Sequence, residues 1–170
     1  KSEVGQQLRK YVRDHNLQEC VAVFKTFDDE MLIKVHALGQ IYATTSTQEG
    51  FGMSLLNGAG GGKFCIFSNK VPLGFEYLSP ADQRRRTALD GSAYFDIGPA
   101  GIMIPARNDF YMNGEGNPAA DSLAGAIRWA LDKNNSDQVE KMQKKAVAVA
   151  QPFTWENRVR AGLEGIGITL

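Results

Sequence analysis

Apolar residues recur at a helical interval over residues 3–17, where Val4, Leu8, Tyr11, Val12 and Leu17 alternate with Arg9, Lys10, Arg13 and Asp14. The pattern predicts an amphipathic helix. Residues 20–27 are β-branched and aromatic and predict a strand, and Asp28, Asp29 and Glu30 then supply a cap and an acidic first turn for a helix that stops at Gly39. Residues 41–43 predict a short strand that gives way to a polar loop at Thr44, Thr45, Ser46, Thr47 and Gln48. A short helix over 53–59, closed by Gly60, Gly61 and Gly62, and a buried strand over 64–67 come next. Residues 68–91 show no clear period and predict a long loop with a helical turn. Residues 93–95 and 101–105 predict strands, and 122–131, 136–150 and 154–166 predict helices.

Strands alternating with helices, and strands too apolar to face water, predict an α/β domain over residues 1–170. Its sheet is expected to be mostly parallel, with helices on both faces. Ligands of such sheets sit at the carboxyl ends of the strands, and the loop from Thr44 to Gly52 lies at such an end. With 43% hydrophobic and 22% charged residues the chain falls outside the disordered class. Nineteen Lys and Arg balance nineteen Asp and Glu, so no bulk positive field gathers nucleic acid or anionic membrane. No apolar run reaches the roughly 20 residues a membrane span needs. Cys20 and Cys65 lie far apart in apolar runs, which predicts buried, reduced thiols and a cytoplasmic setting. His15 reads as a surface residue and His36 as semi-buried, neither with partners at metal-ligand spacing. Arg84, Arg85 and Arg86 read as a solvated patch. The sequence has no initiator Met at Lys1, which leads one to expect a piece of something longer.

The chemistry concentrates in Glu49, Gly50, Phe51, Gly52, Met53, Ser54, Leu55, Leu56 and Asn57. Two glycines allow backbone to approach a ligand, and a helix opening near Met53 offers unpaired N–H groups and the positive end of its dipole. A diphosphate fits there, bound by the backbone N–H groups of Met53 and Ser54. Asn57, one turn on, leans toward the same ligand, while Leu55, Leu56 and Ala59 are left to pack on the sheet. Taken alone, Glu49 reads as a loop carboxylate capping the helix that follows; a sugar-hydroxyl contact is the other reading, and it comes from resemblance to a known family. Gly50 and Gly52 read either as ligand approach or as turn geometry. Lys25, at the end of its predicted strand, reads as a nucleotide contact or a surface lysine.

This segment resembles the sugar-nucleotide motif of retaining glycosyltransferases of the GT-B architecture, in which Glu, Gly, Phe and Gly follow a strand and open an apolar helix. Residues 64–68 look like the next strand of that domain. Gly101, Ile102, Met103, Ile104 and Pro105 resemble its glycine-to-proline segment, and Phe153, Thr154, Trp155 and Glu156 resemble the start of its final helix. Where the family has a second Glu for the nucleotide ribose, this sequence has Asn57, which accepts through its amide oxygen without a charge.

The resemblance implies a Rossmann-like domain forming one half of a GT-B architecture, the donor half, without its first strand and without the N-terminal acceptor domain. It implies transfer of a hexose from a nucleoside-diphosphate sugar, such as a UDP or GDP sugar, to an acceptor alcohol or glycan with retention. It implies no obligatory metal or other cofactor. Glu49 takes the catalytic position; Gly50, Phe51, Gly52, Met53, Ser54, Asn57 and Lys25 take donor-binding positions. The isolated chain is expected to be inactive in transfer. Two other readings stand beside this one: a non-catalytic nucleotide-sugar-binding module, and another GT-B enzyme such as a phosphorylase or a sugar-nucleotide epimerase.

Overall fold

A computed structural model describes residues 3–24, 28–90, 93–106 and 118–165. The chain divides into two units, Lys1–Leu38 and Gly39–Leu170. In the first, α1 (Glu3–Asp14) buries Val12 and carries the exposed pair Lys10–Asp14 one turn apart. His15 is exposed, with its ring stacked 3.9 Å from that of Tyr11. The second helix, α2 (Asp29–Leu38), starts as its sequence predicts: the Asp28 carboxylate accepts from the Met31 N–H at 2.7 Å and caps the first turn.

The strand expected over 20–27 is absent from its described part, residues 20–24, which are turn and irregular backbone. A β-branched run becomes a strand only where a neighbour accepts its ladder, and the described residues of this unit contain no strand to pair with. Cys20 is accordingly exposed rather than buried. Lys25 lies outside the described residues.

The second unit holds a five-stranded sheet among the described residues, in the order β1-β2-β5-β4-β3. Its strands are β1 (Ile41–Thr44), β2 (Phe64–Ser68), β3 (Arg85–Ala88), β4 (Tyr94–Ile97) and β5 (Ile102–Ile104). β1, β2 and β5 are parallel neighbours, while β3, β4 and β5 form an antiparallel meander. Four of the five strands therefore point the same way, and β4 alone runs against them. The sheet is mixed and mostly parallel.

Every residue of β2 is buried, which is why the strand reads as an unbroken apolar run from Phe64 to Phe67, rather than alternating, before it ends at Ser68. Its side chains divide between the two faces with period two. Cys65 and Phe67 join Met103, Leu55 and Ala59 of α3 (Met53–Gly60), and Ala146 and Ala150 of α5 (Ser136–Ala150). Phe64 and Ile66 join Ile102, Ile104, Phe95, Ile97 and Ala126 of α4 (Pro118–Leu131). Both faces are covered, as a parallel sheet requires. The chain continues into α6 (Trp155–Gly165).

Of the loop expected over 68–91, the described residues 68–90 are more ordered than their sequence predicts. They hold a π-helical turn at Gly74–Leu78, a 3-10 turn at Ala81–Gln83 and the edge strand β3. Arg85 and Arg86 are exposed on that edge, where charge discourages pairing with another chain. The arginines are not simply solvated, however. Arg86 sits directly across from Asp96 in the ladder, donates to its carboxylate at 2.9 and 3.3 Å, and lies 3.9 Å over the Tyr94 ring. Asp96 is buried, so this partner offsets the cost of removing its charge from water. The Arg84 guanidinium lies 3.2 Å from the Met103 sulfur.

Cys65, at the centre of the sheet, has its thiol pushed up to about 12 by burial. The unfolded chain ionises this thiol near 9.0, so the neutral thiol contributes stability below that pH, and the contribution is lost as pH rises toward about 12. Alkylation at mildly alkaline pH is expected to modify the exposed Cys20 rapidly and Cys65 only at the rate of global opening. Mass spectrometry of a time course checks this, and equal rates at the two sites would contradict the buried placement of Cys65.

Candidate functional site

The three parallel strands end on the same side of the sheet, and hydrogen bonds lace their carboxyl ends together. At the end of β2, the Ser68 hydroxyl donates to the Ser46 carbonyl in the loop that follows β1. The next residue, Asn69, donates its N–H to Ile104 at 2.9 Å and accepts the Ala106 N–H on its side chain at 3.1 Å, which ties in the end of β5. Further along, the Leu73 N–H donates to the Phe51 carbonyl at 2.8 Å. The crest where α/β sheets bind ligands is thus a connected scaffold under the loop that carries Glu49.

Glu49 is half-buried. Its Oε1 accepts from the Ser46 hydroxyl at 2.9 Å, and among the described residues no group donates to Oε2. No side chain caps α3, so Glu49 does not serve as its cap. The N–H groups of Met53, Ser54 and Leu55 have no preceding helical carbonyl to donate to, and they form the positive end of the helix. The side chains of Met53 and Ser54 are exposed. Asn57 is exposed one turn on, and its side-chain amide has no partner among the described residues.

The two glycines of the motif differ physically. Gly50 has open space where a Cβ would stand. Gly52 has φ 103°, and a Cβ there would lie 2.4 Å from Val71 Cγ1. Gly52 is required by the backbone and its packing alone, whereas Gly50 has no steric reason to be glycine. Phe51 is half-buried, with its ring 5.3 Å from Phe153, which in turn meets Tyr77 edge-on at 5.1 Å and has the Arg158 guanidinium over it at 4.4 Å. This cluster ties the Glu49 loop to the segment before α6. The helix end is also built from glycine: Gly62 has φ 70°, its N–H donates to Ala59, and the Lys63 N–H donates to Gly58.

Glu49, Gly50, Gly52, Met53, Ser54 and Asn57 thus lie on one loop-and-helix segment that follows the carboxyl end of β1. Sequence reasoning missed Ser46 and Ser68. Ser46 stood unmarked inside a run of hydroxyl residues, and Ser68 looked like the end of an apolar strand. The one available signal was a polar residue following four apolar ones at a strand's carboxyl end.

Among the described residues no group of three His, Cys, Asp or Glu converges as a metal cluster, and no helix is long and apolar enough to cross a membrane. No family model matches the sequence, and no curated protein matches it. Solved structures do match. Over 95% of its length the chain is similar to a sucrose-phosphate synthase from Thermosynechococcus elongatus, with TM-score 0.63 and 18% identity, covering 33% of that chain. Over 94% it is similar to a glycosyltransferase from Rickettsia africae, with TM-score 0.61 and 16% identity, covering 34% of that chain. The chain spans about a third of the length of the structures it matches. It has a glycosyltransferase-like fold, the Rossmann-like α/β fold that its sequence predicts.

Proposed function

We propose that this chain is the donor-binding part of a retaining glycosyltransferase that moves a hexose from a nucleoside diphosphate to an acceptor hydroxyl. The observation that carries the reading is the pairing of Glu49 with the uncapped start of α3. A half-buried carboxylate with one oxygen held and the other unpartnered lies in the loop that leads into a row of uncapped backbone N–H groups, after the carboxyl end of a parallel strand. The two ends of a sugar nucleotide differ in the same way, with neutral hydroxyls on the sugar and negative charge on the diphosphate.

In this reading the N–H groups of Met53 and Ser54 face the diphosphate, whose charge grows as the bond to the anomeric carbon breaks, and their fixed orientation stabilises the transition state. Glu49 accepts from sugar hydroxyls through Oε2. The acceptor alcohol attacks on the face the diphosphate leaves, and a phosphate oxygen takes its proton. Asn57 accepts from the ribose. A facing acceptor domain holds the alcohol in line and excludes water, so the 170 residues alone bind donor without transferring sugar. The free cysteines, one of them exposed, support a reducing and cytoplasmic setting.

A second reading, a non-catalytic nucleotide-sugar-binding module, is favoured by Asn57, which offers the ribose a neutral partner. Acceptor-dependent release of nucleoside diphosphate by the complete protein separates the two.

Asn57→Ala is expected to weaken nucleoside-diphosphate binding by ~1–2 kcal/mol, the scale of one lost hydrogen bond to a bound partner. Asn57→Glu is expected to retain or improve it. Titration calorimetry on both variants checks this, and dissociation constants untouched by either change would place the ribose elsewhere.

A further inference from the structure

The two serines at the crest do more than close a loop. Ser68 is fully buried, on the last position of β2, where the strand's register against β1 and β5 fixes its backbone. Its hydroxyl is committed to the Ser46 carbonyl. Ser46 lies in a loop with no secondary structure of its own, and its hydroxyl is committed to Glu49 Oε1, with Thr44 Oγ1 3.5 Å away on the acceptor side. A hydroxyl has one proton to donate and two lone pairs with which to accept, so these contacts are mutually compatible. A rigid strand end is thereby connected through two hydroxyls to one oxygen of a carboxylate on an otherwise irregular segment.

We propose that Ser46 is a positioning residue, and that the Ser68–Ser46–Glu49 relay fixes the plane of the Glu49 carboxylate, holding one oxygen and offering the other to the donor sugar. This rests on Glu49 being the sugar contact. Without the Ser46 hydroxyl the carboxylate is free to rotate about its terminal torsion, which is broad and roughly two-fold. Both oxygens then need ordering when the sugar binds. The cost falls on the sugar and not on the diphosphate, whose partners are backbone N–H groups in the first turn of α3.

The test compares Ser46→Ala, Ser46→Thr, Ser68→Ala and Glu49→Ala with the unmodified chain. UDP-glucose, GDP-mannose and the free diphosphates UDP and GDP serve as probes in calorimetry. Amide 15N order parameters for residues 46–52 supply a readout that needs no ligand. Ser46→Ala is expected to lower those order parameters and to weaken the accepted sugar nucleotide about tenfold, the scale of one hydrogen bond to a charged group, with its diphosphate unchanged. Ser46→Thr, which keeps the hydroxyl, is expected to restore both. Unchanged order parameters in Ser46→Ala would overturn the relay whether or not a probe binds, and so would an equal loss of affinity for sugar nucleotide and diphosphate. Should Ser68→Ala fail to fold, the Ser46 pair still decides. A Glu49→Ala variant that binds sugar nucleotide normally overturns the donor reading, whereas a loss there with none in Ser46→Ala overturns the relay alone.

Discussion

Replacing Glu49 by Gln or Ala in the complete enzyme is expected to lower sugar transfer at least ~100-fold, a loss of ~2.7 kcal/mol in transition-state stabilisation. The melting temperature should hardly move. The two halves of that expectation have separate physical sources. Oε2 has no partner among the described residues and the carboxylate caps no helix, so little of the fold depends on it. What it does have is a fixed place, set by Ser46 in the loop that leads into α3. Steady-state kinetics with a thermal melt on the same preparations check both halves. Near-normal turnover would remove Glu49 from the site, and a collapse in melting temperature would make it structural.

Gly52→Ala is expected to do the reverse, lowering stability by ~3 kcal/mol before any ligand is added. A side chain at φ 103° is strained by ~1–2 kcal/mol, and forcing a methyl group into packed surroundings costs about as much again. The obstructing atom belongs to Val71, a β-branched residue with few alternative rotamers and no exposure to swing into. At the usual ~2–4 °C per kcal/mol for a chain of this size, the melting temperature should fall by roughly 6–12 °C. Gly50→Ala is the control, because its Cβ meets nothing and its φ is not positive. It should melt normally and lose affinity only if a ligand comes close to that backbone. Equal melts for Gly52→Ala and Gly50→Ala would show that the turn at Gly52 is wrongly placed.

The parts of this fold that the sequence makes legible are those in which local chemistry and tertiary packing agree. α5 spans the residues its periodicity predicts, Ser136–Ala150, because Met142, Ala146 and Ala150 lie one turn apart on its buried face. α3 ends where three glycines end it, and Asp28 caps α2. Elements that depend on a distant partner were not legible. Arg85, Arg86, Thr87 and Ala88 have no apolar alternation, and they form a strand only because β4 provides the ladder and Asp96 the counter-charge. Residues 20–24 fail in the opposite sense, having strand composition where the described residues of their unit offer no strand to pair with.

The site divides in the same way. Glu49, Gly52 and the start of α3 could be read from one contiguous segment, since their chemistry depends on spacing along the chain. The connection from Ser68 to Ser46 spans a strand, a helix and two loops, and no local pattern encodes it. The ring of Phe51 lies 5.3 Å from that of Phe153, which meets Tyr77, and these partners, far apart in sequence, could not be read from the motif.

The proposed function requires residues 46–57 to bind a nucleoside-diphosphate sugar. Amide chemical-shift mapping of the 15N-labelled chain, titrated with UDP, GDP and their hexose conjugates, tests it most directly. The helix terminus contributes only ~1 kcal/mol toward a partly exposed charge, so affinity in the millimolar range, equivalent to ~4 kcal/mol in all, is expected. Shifts should centre on the amides of Met53, Ser54 and Asn57 for every diphosphate, and extend to Ser46 and Glu49 only when the sugar is present. Perturbations centred on another part of the chain, or none with any of these probes up to saturating millimolar concentration, would contradict the account.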